Sequence, residues 1–141
     1  MKFVFPAIET RFDANSTLTG VGRKLYRVTD DTPNDNTVRP FTVVAGTLVE
    51  TLDTFASDIE IWSLVFGFIG KRVDATNADT WLEQMIASFE DADITSADFS
   101  TAGCKLISQE APVINDVAYD AGATFELTIE RTVLNPVARG S

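Results

Sequence analysis

The chain has 141 residues, a length that predicts one domain with a core of its own. Apolar residues make up 45% of it and charged residues 23%, which is ordinary globular usage and excludes wholesale disorder. A formal charge of −10, no histidine and a single cysteine, Cys104, disfavour direct nucleic-acid binding, histidine-dependent catalysis and any disulfide or paired-thiol motif within the chain.

Membrane insertion and secretion are also disfavoured. No apolar stretch reaches the about 20 residues that a membrane-spanning helix needs, and the first residues lack the apolar core of a signal peptide. We therefore expect a soluble protein made in the cytosol, without a cofactor, and we expect Cys104 to be a small buried apolar residue.

The first third of the chain predicts a helix, a short strand and a loop. Val4, Ile8 and Phe12 recur at helical spacing, which predicts an amphipathic helix over residues 6–15. Residues 24–29 are typical of a short strand. Residues 30–37 are acidic and rich in turn formers, and we expect them to form an exposed, mobile loop.

The middle of the chain predicts a hairpin with an unusual second strand. Residues 41–52 read as a strand, 53–58 as a polar turn, and 59–70 as a β-branched and aromatic strand with large apolar side chains at both odd and even positions. Helices in so short a chain can cover one face of a sheet, so the other face needs a second layer. We infer that copies of the protein assemble.

The last part of the chain predicts a helix and a second hairpin. Thr80 and Glu83 have capping-box spacing, with Asn77 as an alternative earlier start, and a helix over residues 78–90 is predicted. Its apolar stripe consists of Trp81, Leu82, Met85, Ile86 and Phe89. Residues 103–113 and 123–133 read as strands, and the second alternates between apolar and polar residues, so one of its faces should be wet. These elements predict an α+β fold, an antiparallel sheet of four to five strands with two helices packed on one face, in a single domain over residues 1–135 with a flexible tail at 136–141.

Candidate catalytic and binding motifs are weak. A Ser-x-x-Lys spacing is absent, and Gly20 and Gly22 lack the spacing of a phosphate loop, so a helix end followed by a turn is favoured there. Five residues of the acidic loop could suggest a calcium site, but they lack the central glycine and final glutamate of an EF-hand, and a solvated turn is favoured. They are Asp30, Asp31, Asn34, Asp35 and Asn36.

Two further groups admit more than one interpretation. Glu90, Asp91 and Asp93 end the second helix, where carboxylates oppose the helix dipole, and this favours fraying or a contact between subunits over an active site. Aromatic side chains of the 59–70 strand could line a ligand pocket, but core or interface positions are favoured. The predicted subunit interface consists of Trp62, Leu64, Phe66 and Phe68.

With its elements in this order, the chain resembles the tail terminator, or tail-completion, family of long-tailed bacteriophages. The matching features span most of the chain: a helix ending near Leu18, a short strand at Leu25 and Tyr26, a variable loop, a strand opening at residues 40–44, a charged and aromatic strand at 60–66, a helix opening at 77–81, and a last hairpin ending at 124–129.

The resemblance implies a non-enzymatic virion protein, assembled in the host cytoplasm, that forms a hexameric ring. Such a ring caps the tail tube and joins it to the head connector protein, while DNA passes through without specific binding. We expect Glu126 and Glu130 to face the lumen or solvent, and the acidic loop to dock onto the tube or connector. Another tail or neck role, as a tube or adaptor subunit, and a small ligand-binding or enzymatic α+β domain remain as alternatives.

Overall fold

A computed structural model describes residues 4–28, 40–53, 57–94, 99–114 and 119–132. Within these ranges no helix is long and apolar enough to cross a membrane. The elements are α1 (Phe5–Asp13), α2 (Ser16–Val21), β1 (Leu25–Arg27), β2 (Phe41–Asp53), β3 (Ser57–Gly70), a 3-10 helix (Arg72–Asp74), α3 (Ala75–Phe89), β4 (Ser100–Ile114) and β5 (Tyr119–Thr132). The predicted α+β class is confirmed.

The strands form one sheet in the order β1-β2-β3-β5-β4. The pairs β2–β3, β3–β5 and β4–β5 are antiparallel, which confirms both predicted hairpins. Strand β1 is the exception, since it runs parallel to β2 and pairs only with Thr42, Val43 and Val44. The sheet is therefore mixed, where the sequence predicted an antiparallel one, and its two edges are β1 and β4.

The predicted helix over residues 6–15 is confirmed as α1, and a second short helix, α2, begins directly after Asn15. Asn15 has extended backbone angles (φ −97°, ψ 103°), and its side-chain oxygen accepts hydrogen bonds from the amides of Thr17 and Leu18. Its side-chain NH₂ donates to Ser88 Oγ (2.7 Å) and Gln84 Oε1 (3.1 Å) on α3. One residue thus starts α2 and ties it to α3.

Helix α3 begins three residues before the predicted start. Thr80 lies inside the helix, so the predicted capping box is wrong. The chain enters the helix instead through the 3-10 turn, where the Asp74 carboxylate accepts a hydrogen bond from the amide of Lys71 (2.7 Å). The Asp74 carboxylate therefore fixes the start of α3, which precedes the apolar stripe seen in the sequence.

The core lies between the helices and one face of the sheet, which we call the inner face. The side chains of Phe66, Phe89 and Phe125 meet there, with ring centroids 4.9 to 5.9 Å apart, and Phe68 packs on Trp81 at 5.8 Å. All five are fully buried. We call the opposite side of the sheet the outer face.

A buried hydroxyl links three elements within this core. Thr42 Oγ1 accepts a hydrogen bond from Trp81 Nε1 (3.0 Å) and donates one to the carbonyl of Gly22 (3.0 Å). Because Thr42 is completely buried, each of these polar groups depends on the others for a partner. The link holds β2, α3 and the end of α2 together.

Candidate assembly surface

The predicted subunit interface is part of the core of the monomer. Leu64, Phe66 and Phe68 are fully buried by their own chain, and Trp62 is 7% exposed. They occupy alternate positions of β3 and point to the inner face, beneath the helices. The interface assignment for these four residues is therefore corrected, because helices of the same chain already cover them.

The other face of β3 carries the apolar surface that the helices leave uncovered. Ile59, Ile61 and Ile69 are half-buried and Val65 is 46% exposed. The described helices pack on the inner face, so none of them lies above these four side chains. Strand β3 therefore has apolar side chains on both faces, and only one face is covered by helices. The uncovered side chains are those at odd positions, whereas the sequence predicted the even ones.

The outer face divides lengthwise into an apolar and a polar half. On the β2 side, Val65 pairs with Ala45 and Ile59 with Leu52. On the β5 side, Ile59 pairs with Glu130, Ile61 with Thr128 and Val65 with Thr124, and both Glu126 and Glu130 are exposed. The alternation predicted for β5 is confirmed, because its apolar residues from Ala123 to Ile129 are buried on the inner face.

The far half of β2 is exposed. Within the described ranges, β1 pairs only with the start of β2, and every residue from 47 to 53 is exposed. Leu48, Val49 and Leu52 are 45%, 63% and 46% exposed, which is unusual for three large apolar side chains within five residues. A register shift at Val49 changes which face the following side chains take, and the sequence alternation could not reveal it.

The end of α3 is fixed to the edge strand β4. The Glu90 carboxylate accepts a hydrogen bond from the amide of Leu106, the amide of Asp91 donates to the carbonyl of Cys104 (2.8 Å), and the Asp91 carboxylate pairs with Lys105. Fraying at Glu90 and Asp91 is therefore wrong, and the predicted contact between subunits stays a prediction. The Glu90 carboxylate and the Asp91 amide satisfy backbone groups of an edge strand that would otherwise be open.

Cys104 is fully buried beside this junction, as predicted. Burial, and to a lesser extent the nearby Glu90 and Asp91 carboxylates, raise the pKa of the Cys104 thiol to about 12. The thiol therefore stays protonated at neutral pH. Because the thiolate is the reactive form, the structure supports a packing role for this residue.

We expect Cys104 in the folded protein to resist a thiol reagent such as iodoacetamide at pH 8, and to react fully once the chain is unfolded in urea. The matched control is Ser108→Cys in a Cys104→Ala background, since Ser108 is an exposed residue of the same strand. Its thiol should react within minutes in the native state. Equal native-state rates for the two thiols, measured by mass spectrometry, would contradict the burial of Cys104.

Three other predictions concern the acidic loop, the Gly20 and Gly22 segment, and metal binding. Asp30, Asp31, Asn34, Asp35 and Asn36 lie outside the described residues. Gly20 belongs to α2 and Gly22 caps its end, which confirms the helix stop that the sequence favoured over a phosphate loop. In the part of the chain that the structure describes, no three His, Cys, Asp or Glu side chains converge as metal ligands.

Comparison with known proteins gives a likeness of fold. No protein-family model matches the sequence, and no curated protein does. A chain of the virion of the native gene transfer agent particle has the same fold, with a TM-score of 0.69, over 89% of this chain and 92% of that one. The two sequences are 12% identical, so the likeness shows a shared fold across nearly the whole of both chains.

Sequence reasoning missed which face of β3 is free, although a signal was present. The four large aromatic and leucine side chains of the strand fall at even positions, and the β-branched residues fall at odd ones. Aromatic rings bury the largest area and dominate cores, so the even positions were the better core candidates.

Proposed function

We propose that this chain is a structural protein of a phage-like virion. The observation that carries the proposal is the fold shared, over nearly the full length of both chains, with a chain of the gene transfer agent virion. The sequence resemblance to phage tail proteins, which rests on the order of the elements, supports the same class. A virion protein works by binding its neighbours, and the uncovered apolar half of the outer face suits that role.

Within this class we propose the role of tail terminator. In this role copies of the chain close into a ring, six of them according to the family resemblance, which caps the tail tube and joins it to the head connector protein. The uncovered side chains of β2 and β3 support assembly, because a soluble monomer rarely leaves so many large apolar groups exposed. Val65 and Leu52 replace Trp62 and Phe66 as the proposed contact residues.

The polar half of the outer face is proposed to line the lumen or face solvent. Glu126 and Glu130 are exposed there, and the chain as a whole carries a charge of −10. A lumen of this sign repels phosphate, so DNA would pass without being held. The acidic segment at residues 30–36 is proposed to dock onto the tube or connector protein.

The test combines oligomeric state with tube capping. Light scattering during size exclusion should give a mass that stays at one fixed multiple of the subunit mass as concentration rises, and electron microscopy should show closed rings. Added to polymerising tube protein of the same particle, the rings should stop tube growth. A variant lacking residues 31–36 should still form rings but should no longer join tubes to heads.

Other outcomes separate the alternatives. Polymers that lengthen with concentration would indicate a tube subunit, since an open contact repeats without limit. Closed rings that leave tube growth unchanged would indicate an adaptor. A monomer that neither forms rings nor affects the tube at any concentration would contradict a structural role.

A further inference from the structure

The β1 edge of the sheet is basic. Three of the chain's eleven Lys and Arg residues, Arg23, Lys24 and Arg27, lie within five positions at this edge. Arg23 and Lys24 are exposed, and Lys24 Nζ lies 5.0 Å from the centre of the Tyr26 ring. Glu9 is the one carboxylate among the residues that line the shallow cleft of about 300 Å³ beside this strand. We call Arg23, Lys24 and Arg27 the basic edge.

The β4 edge, on the opposite side of the sheet, is acidic. The end of α3 brings Glu90 and Asp91 against this strand, Asp93 follows, and Glu110 is exposed farther along β4. Lys105 pairs with Asp91, and Arg11 donates to the carbonyl of Ser88 near the end of α3. We call Glu90, Asp91, Asp93 and Glu110 the acidic edge.

Each edge also exposes one large apolar side chain. Val28, directly after β1, is 46% exposed, and Ile107 on β4 is 58% exposed. Specific interfaces commonly have an apolar centre surrounded by polar and charged groups. Both edges therefore have the composition of a contact surface, with opposite charges at their margins.

We infer that the basic edge of one copy contacts the acidic edge of the next copy. The partner is a second copy of this chain because a single chain carries both complementary surfaces on opposite sides of one sheet. A contact between two different surfaces is heterologous, and repeated contacts of that kind either close into a ring or continue as a filament. The inference rests on the proposed ring and adds the two sheet edges to the outer-face residues already proposed for its contacts.

The arrangement also explains how copies with a charge of −10 can associate. Copies of the same net charge repel each other, so a stable contact needs local attraction. The basic edge brings three cations within five residues, and β1 and β4 lie at opposite edges of the sheet. Because Arg23, Lys24 and Glu110 are exposed, the contact should weaken as salt is raised.

Charge reversal tests the inference directly. One variant carries Arg23→Glu and Lys24→Glu, and the other carries Asp93→Lys and Glu110→Lys. Alone, each should raise the protein concentration needed for half assembly by about tenfold or more, because like charges then face each other across the contact. A control with Asp79→Lys and Glu83→Lys, on the exposed side of α3, changes net charge by the same amount and sign as the second variant, and should assemble as the wild type does.

Rescue makes the test specific. An equimolar mixture of the two variants should assemble into rings in which they alternate, and one chain carrying all four substitutions should also recover assembly. Circular dichroism and thermal unfolding show whether each variant is folded. If the first variant unfolds at a lower temperature as a monomer, without rescue in the mixture, the basic edge is engaged by its own chain and the inference is overturned.

The outcomes for the inference and for the proposed function differ. Wild-type rings that persist in both variants overturn the edge contact and leave the tail terminator role standing. Wild-type filaments that both variants disrupt, with rescue in the mixture, support the edge contact and contradict the closed ring. A wild type that stays monomeric at every concentration and salt contradicts both.

Discussion

Replacing Phe66 with alanine is expected to lower the free energy of unfolding by about 3 to 5 kcal/mol, the usual range for a buried phenylalanine. The Phe66 ring is fully buried, with its centroid 4.9 Å from that of Phe89 and 5.9 Å from that of Phe125. Truncation would leave a cavity between β3, β5 and α3 that these neighbours can fill only in part. Urea unfolding followed by fluorescence measures the loss.

The neighbouring residue is the matched control. Val65 is on the same strand but on the outer face, where it is 46% exposed. Val65→Ala should cost less than about 1 kcal/mol in dilute protein, because little buried contact is lost. If Phe66→Ala instead weakened assembly and left the dilute monomer as stable as the wild type, the core assignment of the inner face would be wrong.

Replacing Gly22 with alanine is expected to destabilise the fold by about 1 to 3 kcal/mol, the typical cost of overpacking. A Cβ atom at this position would lie 2.6 Å from Thr42 Oγ1 and 2.7 Å from Trp81 Cδ1. Both neighbours belong to the buried hydrogen-bonded link between β2, α2 and α3, so neither can move without weakening it. The added methyl group therefore acts on three elements at once.

Gly20→Ala is the matched control for this prediction. Gly20 lies in α2, and nothing approaches within 4 Å of a Cβ built there. Alanine favours the helix over glycine, so this change should leave stability unchanged or raise it by up to about 1 kcal/mol. Thermal unfolding of the two variants side by side checks the pair. If Gly22→Ala and Gly20→Ala unfolded at the same temperature, the hydrogen bonds among Gly22, Thr42 and Trp81 would not constrain the structure as argued.

The hairpins and α3 could be predicted from the sequence because their signals are local. The period-two pattern of β5 matches its buried and exposed residues, and the apolar stripe of α3 sits where helical spacing placed it. Helix α2 was not predicted as a separate helix, because Asn15 and Ser16 read as the end of the first helix and suit the start of the next equally well. The hydrogen bonds to Ser88 and Gln84 on α3, which are long-range contacts, favour the start.

The sequence predicted that one apolar face of β3 needs a second layer, but it did not predict which face. A strand that is apolar on both faces requires two covering layers, and this follows from alternation alone. Which face the helices cover depends on how α1, α2 and α3 fold back onto the sheet. That choice buried Trp62, Leu64, Phe66 and Phe68 inside the chain and left Val65 outside.

The charged edges were beyond sequence reasoning for a related reason. Arg23 and Glu110 are far apart along the chain, and their relation exists only because the strand order places β1 and β4 at opposite edges. Likewise, Glu90 and Asp91 looked misplaced at a helix end until their bonds to β4 were seen. By itself the sequence determined the α+β class, the strands and helices, and the surplus of apolar surface, because these depend on neighbouring residues. Only the tertiary structure decided which surfaces remain free, because burial depends on contacts between residues distant in the chain.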